Sequence, residues 1–164
     1  MQKKSILNSA IRLFFLFFLV NTIGYIAGSY MTPKTMLWYH SLPLSPLTPP
    51  DWLFPVVWTI LFSLMAISAF LVWGRASPRW FVAQLMANMT WSFTFFYLKN
   101  PVTASGINFI MLIFLILNIR DFNKISKYSG WMLFPTFLWS LFALYLNLYI
   151  VYSITWQKKY SVVK

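Results

Sequence analysis

Five long apolar stretches separated by short polar segments dominate the hydropathy pattern of this chain. Each approaches the ~20 residues that a helix needs to cross a hydrocarbon core of roughly 30 Å. A segment inside a bilayer must satisfy its own backbone hydrogen bonds, so these stretches are predicted to be helices rather than strands. The pattern therefore predicts an all-α membrane protein, a five transmembrane helix bundle that forms a single domain over 1–164, with helices at approximately 9–29, 52–73, 80–99, 101–118 and 131–155.

The one sizeable segment between the stretches, Tyr30–Asp51, contains five of the nine prolines. Because proline fixes φ and lacks an N–H donor, this segment is expected to be an ordered, non-helical loop. Asp51 directly precedes the second stretch, where a carboxylate would cap the helix and interact favourably with its dipole.

The beginning of the chain also resembles a secretory signal peptide, because Lys3 and Lys4 precede a Phe/Leu-rich run. The small residues that follow, Gly24, Ala27 and Gly28, recur at helical spacing. That spacing is typical of surfaces where transmembrane helices pack closely. We therefore expect the first stretch to be a retained helix.

The formal net charge of +11 reflects cations at or near the ends of the apolar stretches. Such placement favours membrane lipid headgroups as partners, and it offers no clustered basic face for nucleic acid. Five crossings would put eight cations on the N-terminal side and five on the other. In a bacterial cell membrane, the positive-inside rule then favours the N-terminus in and the C-terminus out. An organelle outer membrane, to which that rule does not simply transfer, stays an alternative.

Few side chains in this sequence suit acid–base or metal chemistry. The chain has one His, His40, two carboxylates, Asp51 and Asp121, and no Cys. All three titratable side chains fall at or beyond predicted helix ends, so hydrolysis and a metal site are not expected. Thiol nucleophiles and disulfides are excluded, and no required cofactor is predicted.

Aromatic and amide side chains inside the stretches are the strongest candidates for function. Among the nine Trp, Trp58, Trp91 and Trp139 lie two to three turns inside the second, third and fifth stretches. Gln84, Asn88 and Trp91 share one helical face, at i, i+4 and i+7. Amides are unfavourable in hydrocarbon, so this face should point into the bundle or a cavity.

The fifth stretch has a matching face, with Ala143 leaving room beside Trp139, followed by Leu146 and Asn147. Packing and interhelical amide hydrogen bonds explain both faces structurally. A ligand pocket with polar groups among aromatic walls explains them functionally.

Several motifs occur in order along the chain and resemble one family. They are Trp38-Tyr39, Pro49-Pro50-x-Trp52, Val57-Trp58-Thr59, Leu71-Val72-Trp73, Gln84-x3-Asn88-x2-Trp91 with Phe95-Phe96, and Pro135-x3-Trp139-x2-Phe142-Ala143-x3-Asn147. The set resembles the signature of the TspO/MBR family, the tryptophan-rich sensory proteins, which include the mitochondrial translocator protein.

The resemblance implies a homodimer of five-helix bundles that binds porphyrins such as protoporphyrin IX and heme-type tetrapyrroles, and related planar lipophiles such as sterols or benzodiazepine-type drugs. Carried over position by position, the ligand-binding residues would be Trp38, Tyr39, Pro49, Pro50, Trp58, Gln84, Asn88, Trp91, Phe96, Trp139, Ala143 and Leu146. The resemblance also implies an alternative, light- and oxygen-dependent porphyrin degradation in which Trp58 and Trp139 would be catalytic.

The sequence departs from the family pattern in the Pro-rich loop. Where the family usually has Lys-Pro-x-Trp, this chain has Leu44-Ser45-Pro46-Leu47. A cationic contact to an acidic porphyrin side chain is therefore missing. Three function classes stay open: a tetrapyrrole binder or sensor, a photo-oxidative enzyme, and a stress-response interaction protein whose pocket is incidental.

Overall fold

The computed structural model describes residues 2–161, with side chains for 7–157, and the described residues contain no strand. They form six α-helices and one π-helical segment that continues the fourth helix. In chain order these are α1 Gln2–Gly28, α2 Pro33–His40, α3 Leu53–Leu71, α4 Arg79–Ser92, the π-helical segment Phe93–Tyr97, α5 Pro101–Asn123 and α6 Lys127–Ser161.

Four of the described helices are long and apolar enough to cross a membrane, which makes this a helical membrane protein. They are α1 over Leu7–Gly28, α3, α5, and α6 over Lys127–Gln157. Helix α4 has only 14 residues before the backbone changes to the π-helical geometry. The predicted third stretch therefore exists as a composite element, not as one uninterrupted α-helix.

The prediction that Tyr30–Asp51 contains no helix is wrong. Helix α2 begins at Pro33, where a missing N–H is harmless because first-turn donors have no intrahelical partner. Thr32 is the N-cap, and its hydroxyl accepts from the Thr35 N–H at 3.2 Å while the Thr35 hydroxyl accepts from the Thr32 N–H at 2.8 Å. This reciprocal capping box satisfies two donors at once and starts a short helix.

The predicted N-cap role of Asp51 is also wrong. The N-cap of α3 is Trp52, which makes no side-chain capping bond. The Asp51 carboxylate instead lies 2.8 Å from Nε2 of His40, at the end of α2. Asp51 therefore joins α2 to the beginning of α3.

The five longest helical elements form a closed ring. Helix α1 packs against α3 and α4, α3 against α6, α6 against α5, and α5 against α4. The short helix α2 packs against the π-helical segment at one end of the ring. At the opposite end, Asp121 of α5 contacts Arg79 at 3.5 Å and Lys124 at 2.9 Å.

Small residues set the distance between neighbouring helices. Gly24 of α1 lies directly against the Phe62 ring of α3, where an added Cβ would overlap that ring. Ser68 and Ser129, both fully buried, exchange hydroxyl-to-carbonyl bonds of 2.8 and 2.7 Å between α3 and α6. Each such bond contributes about 1 kcal/mol. The close packing predicted for the small residues of the first stretch is thus seen at Gly24, whereas Gly28 has open space beside its Cα.

Candidate functional site

A cavity of about 690 Å³ lies between α1, α3 and α4, with Met36 of α2 at its boundary. This volume falls within the range of ~300–1,000 Å³ that is usual for small-molecule sites. Most of the lining side chains are apolar. The cavity is bordered by exposed residues at the end of α1 and the beginning of α3, including Tyr25, Trp52 and Pro55. It is therefore open between these two helix ends.

Aromatic rings from three elements form the inner wall of the cavity. Trp58 of α3 lies 6.2 Å from Trp91 of α4, and 5.6 Å from Phe62, measured between ring centroids. Phe96 meets Trp91 edge to face at 6.4 Å. Flat aromatic faces at these separations suit a flat apolar ligand.

The π-helical segment explains why two consecutive phenylalanines are both buried. The Leu98 N–H donates to the Phe93 carbonyl at 3.0 Å, a bond across five residues instead of four. The wider turn brings Phe95 and Phe96 inward together, with centroids 4.9 Å apart. Phe96 lines the cavity while Phe95 contacts Trp38 at 5.6 Å.

Three of the polar side chains that line the cavity, Asn21, Asn88 and Ser92, come from α1 and α4. Asn88 is 3% exposed, and its amide donates to the sulfur of Met111 at 3.6 Å. A thioether is a weak acceptor, so Asn88 keeps hydrogen-bonding capacity for a ligand. Ser92 donates to the Ala27 carbonyl at 2.5 Å, and the Asn21 amide donates to the Phe17 carbonyl at 2.9 Å. Both of these bonds fix donors to the backbone of α1.

A second, much smaller cavity of about 20 Å³ lies behind the first, towards α6. Phe54, Trp91 and Phe96 line both cavities and so form the partition between them. The smaller cavity is also lined by four residues of α6, together with Tyr39 and Phe95; the α6 residues are Ala143, Leu146, Asn147 and Ile150.

The structure divides the predicted ligand-binding residues into three groups. The first lines the main cavity and comprises Trp58, Asn88, Trp91 and Phe96. The second lines only the smaller cavity and comprises Tyr39, Ala143 and Leu146. The third lines neither cavity and comprises Trp38, Pro49, Pro50, Gln84 and Trp139.

Two members of the third group lie elsewhere in the bundle, Gln84 fully buried and Trp139 partly buried. Gln84 is 1% exposed and donates to the sulfur of Met65 at 3.3 Å. Trp139 packs edge to face on Phe54 at 6.2 Å, and its buried indole N–H has no hydrogen-bond partner among the described residues. Trp139 therefore supports Phe54, a wall residue of both cavities, from behind, whereas Gln84 bonds to a residue that lines neither cavity.

Sequence reasoning missed the contribution of α1 to the main cavity. Asn21, Gly24, Tyr25 and Gly28 all line it. The sequence did contain a signal for this lining. Asn21 places an amide inside an apolar helix, and Gly24 and Gly28 follow three and seven positions later on the same helical face. Those glycines were interpreted only as packing residues, although Gly28 leaves open space.

Helix α2 covers the smaller cavity with a buried tyrosine, Tyr39. Tyr39 is 4% exposed, and burial raises the pKa of its hydroxyl to about 12, partly offset by a hydrogen bond with Thr48. The negative charge of Asp51 raises this pKa further. Ser45 contacts the Tyr145 hydroxyl at 3.0 Å and so attaches the loop to α6.

Acidic and metal-binding chemistry is sparse around this site. Within the described part of the chain, no three His, Asp or Glu side chains are grouped so that they could hold a metal ion. The described lining consists of aromatic, aliphatic, thioether, amide and hydroxyl groups with the single carboxylate of Asp51. Such a lining suits non-covalent binding of an apolar molecule.

Apolar helices long enough to span a membrane, packed around an aromatic cavity, make this chain a helical membrane protein with an internal cavity. The sequence model of the TspO/MBR family matches residues 16–153. The chain belongs to the TspO/MBR family, which confirms the resemblance seen in its motifs.

Relatives from bacteria and archaea cover most of the chain. A tryptophan-rich protein TspO of Chlorobaculum tepidum is 37% identical over 134 residues, covering 76% of this chain and 85% of the relative. A tryptophan-rich protein TspO of Archaeoglobus fulgidus is 36% identical over 143 residues, covering 77% and 90%. A tryptophan-rich sensory protein of Cereibacter sphaeroides is 30% identical over 125 residues, covering 73% and 77%.

Proposed function

We propose that this TspO/MBR membrane protein binds a planar lipophilic ligand of the tetrapyrrole class in its main cavity and acts as a sensor of that ligand. The observation that carries the proposal is the wall formed by Trp58 and Trp91, with the Asn88 amide beside it. A flat ring system would stack on the indoles while a polar ring substituent hydrogen-bonds to the amide.

The main cavity also supports binding of the other flat lipophiles that the family resemblance implies. Its lining is aromatic and aliphatic rather than shaped by charged pairs, so shape and apolar area would dominate affinity. Sterols and benzodiazepine-type drugs therefore belong in the same ligand class. The relative affinities of these ligands then depend on the few polar groups in the lining, above all Asn88.

A titration of the purified protein in neutral detergent tests this function. The panel comprises protoporphyrin IX, heme and a sterol, with quenching of tryptophan fluorescence and the porphyrin Soret shift as readouts. Saturable binding to the wild type that weakens on Trp91→Ala supports the proposal. A panel that gives no saturable binding contradicts it.

The membrane arrangement we propose has five spans. Helix α4 and the π-helical segment together supply 14 and five consecutive residues, close to the ~20 that a span requires. They occupy a place in the ring between α1 and α5, both of which are apolar enough to span. Reporter fusions after α1, α3 and α5 and at the C-terminus test this topology, with the N-terminus inside and the C-terminus outside. The homodimer stays a prediction, which crosslinking in native membranes would test.

Photo-oxidative porphyrin degradation is the second candidate function. It is favoured by one observation, the Trp58 indole that lines the cavity in ring contact with Trp91. Indoles are the most readily oxidised groups in the described lining. Loss of the Soret band that needs both light and oxygen would establish this activity.

A further inference from the structure

The described rim of the main cavity carries one negative charge, that of Asp51. Among the described residues that line the cavity, Asp51 is the one side chain charged at neutral pH. The other polar lining groups, such as Asn21, Thr59 and Asn88, are uncharged amides and hydroxyls. A ligand with an acidic edge therefore finds no cation in this described lining.

The described cations nearest to this end of the bundle lie away from the cavity lining. The Lys99 ammonium sits over the Trp38 ring, 5.8 Å from its centroid, and Lys34 is exposed on α2. His40 contacts Asp51 at 2.8 Å, but it does not line the cavity itself. Among the described charged side chains, Asp51 is therefore the one that forms part of the cavity lining.

Asp51 is placed where the polar edge of a ligand would lie. Its side chain is 49% exposed, next to exposed Trp52 at the beginning of α3. The inner wall, by contrast, consists of Trp58, Trp91 and Phe96. An amphiphilic ring system would place its apolar face on these rings and its polar edge at the rim, because charged groups are poorly solvated inside.

We propose that Asp51 is a specificity-determining residue, and that the cavity takes planar lipophiles whose polar edge is neutral or cationic in preference to dicarboxylates. The inference rests on the proposed function and names the ligand class of the same site. Like charges repel within several ångströms, and a half-exposed site screens this repulsion only in part. The discrimination is therefore several-fold instead of absolute.

A matched pair of ligands isolates the charge. Protoporphyrin IX and its dimethyl ester share one ring system, and only the acid carries two carboxylates. We expect the ester to bind the wild type at least ~3-fold more tightly, and the ratio to shrink in high salt because ions screen the repulsion. Both dissociation constants are measured by tryptophan quenching in the same neutral detergent.

Three variants separate the charge from its structural role. Asp51→Asn removes the charge and should tighten binding of the acid. The ratio of the two dissociation constants should then approach one, because both ligands make the same ring contacts. His40→Ala breaks the same contact but keeps the carboxylate, so it should preserve or increase the ratio. Asp121→Asn removes a carboxylate at the opposite end of the bundle and should leave the ratio unchanged.

The outcomes distinguish this inference from the proposed function. An unchanged ratio in Asp51→Asn, or parallel changes in Asp51→Asn and His40→Ala, would overturn the role of the charge while ligand binding stands. Wild-type protein that binds the acid as tightly as the ester would overturn it as well. Failure of both porphyrins to bind the wild type would overturn the proposed function, and the preference with it.

Discussion

Trp58 of α3 and Trp91 of α4 meet across the wall of the main cavity, with ring centroids 6.2 Å apart and an angle of 40° between the planes. Trp91 also stacks on Phe95 at 6.1 Å and meets Phe96 edge to face. One indole thus connects the cavity surface to the aromatic cluster behind it. Its indole N–H has no hydrogen-bond partner among the described residues, so packing contacts hold the Trp91 side chain in place.

The first prediction separates the two buried amides of α4. Asn88→Leu should weaken porphyrin binding about fivefold, because one lost hydrogen bond corresponds to roughly 1 kcal/mol. Gln84→Leu is the matched control, since Gln84 is equally buried one turn away but lines neither cavity. Fluorescence titration of both variants gives the comparison. Equal affinities in the two variants would place Asn88 among the packing residues.

This pair of amides shows what the sequence could and could not predict. Helical periodicity correctly put Gln84, Asn88 and Trp91 on the interior side, and all three are buried. Periodicity defines a face but not a depth, so it could not show that the cavity ends between Gln84 and Asn88. Similarly, the spacing of Trp139 and Ala143 did not reveal that the Trp139 ring packs against Phe54 instead of lining a cavity.

The helices of the fold were predictable wherever the length of an apolar stretch alone determines a helix. Helix α3 occupies Leu53–Leu71 within the predicted 52–73, and α5 extends beyond the predicted 118 to Asn123. Helix α2 was missed because the prolines of its segment were treated as breakers, although Pro33 follows a capping threonine. The π-helical geometry of Phe93–Tyr97 has no sequence signal of its own, since it depends on how Phe95 and Phe96 pack together.

The second prediction concerns the close approach of α1 and α3. Gly24→Ala should destabilise the protein, because the added methyl would overlap the Phe62 ring and force the helices apart. Gly106→Ala, on the exposed side of α5, has nothing within 4 Å of the new methyl. That control should be neutral or stabilising by up to ~1 kcal/mol, the helix-propensity difference between the two residues. Thermal unfolding in detergent should give a lower midpoint for Gly24→Ala and an unchanged or higher midpoint for Gly106→Ala. A stabilised Gly24→Ala variant would contradict the close packing.

The third prediction tests the smaller cavity through Ala143. A phenylalanine at this position cannot fit into about 20 Å³, so Ala143→Phe should displace α6 or the Trp91 partition. Overpacking of this kind typically costs about 1–3 kcal/mol. Ala143→Ser adds one small hydroxyl and should have a much weaker effect. Unfolding temperature and porphyrin affinity should both fall in the Phe variant, and equal behaviour of the two would mean that Ala143 is not confined.

The fourth prediction is a pH dependence that originates at Tyr39. Its pKa is raised from 10.0 to about 12, mainly by burial. The unfolded chain therefore loses this proton at lower pH than the folded protein does. The contribution of protonated Tyr39 to the free energy of unfolding is therefore fully present below pH 10. It is lost as the pH rises towards 12, which lowers the free energy of unfolding by up to ~2 kcal/mol.

Tyr39→Phe isolates this contribution from the other titrating groups. The free energy of unfolding of the wild type should fall more steeply between pH 10 and 12 than that of the variant. Chemical unfolding at a series of pH values measures both slopes. Parallel curves would show that Tyr39 ionises as readily in the folded protein as in the unfolded chain.

The fifth prediction concerns the photochemical alternative and the two tryptophans proposed for it. Only Trp58 lines the main cavity, whereas Trp139 lies behind Phe54. If a bound porphyrin is degraded in light and oxygen, Trp58→Phe should slow the loss of the Soret band more than Trp139→Phe does. His40, Asp51 and Asp121 lie outside the inner wall, so their replacement should change the rate per bound porphyrin little.

Degradation in the dark, or equal rates in the wild type and Trp58→Phe, would show that the cavity indole is not the reacting group. Absence of any porphyrin loss would leave reversible binding as the function that the Trp58–Trp91 wall performs.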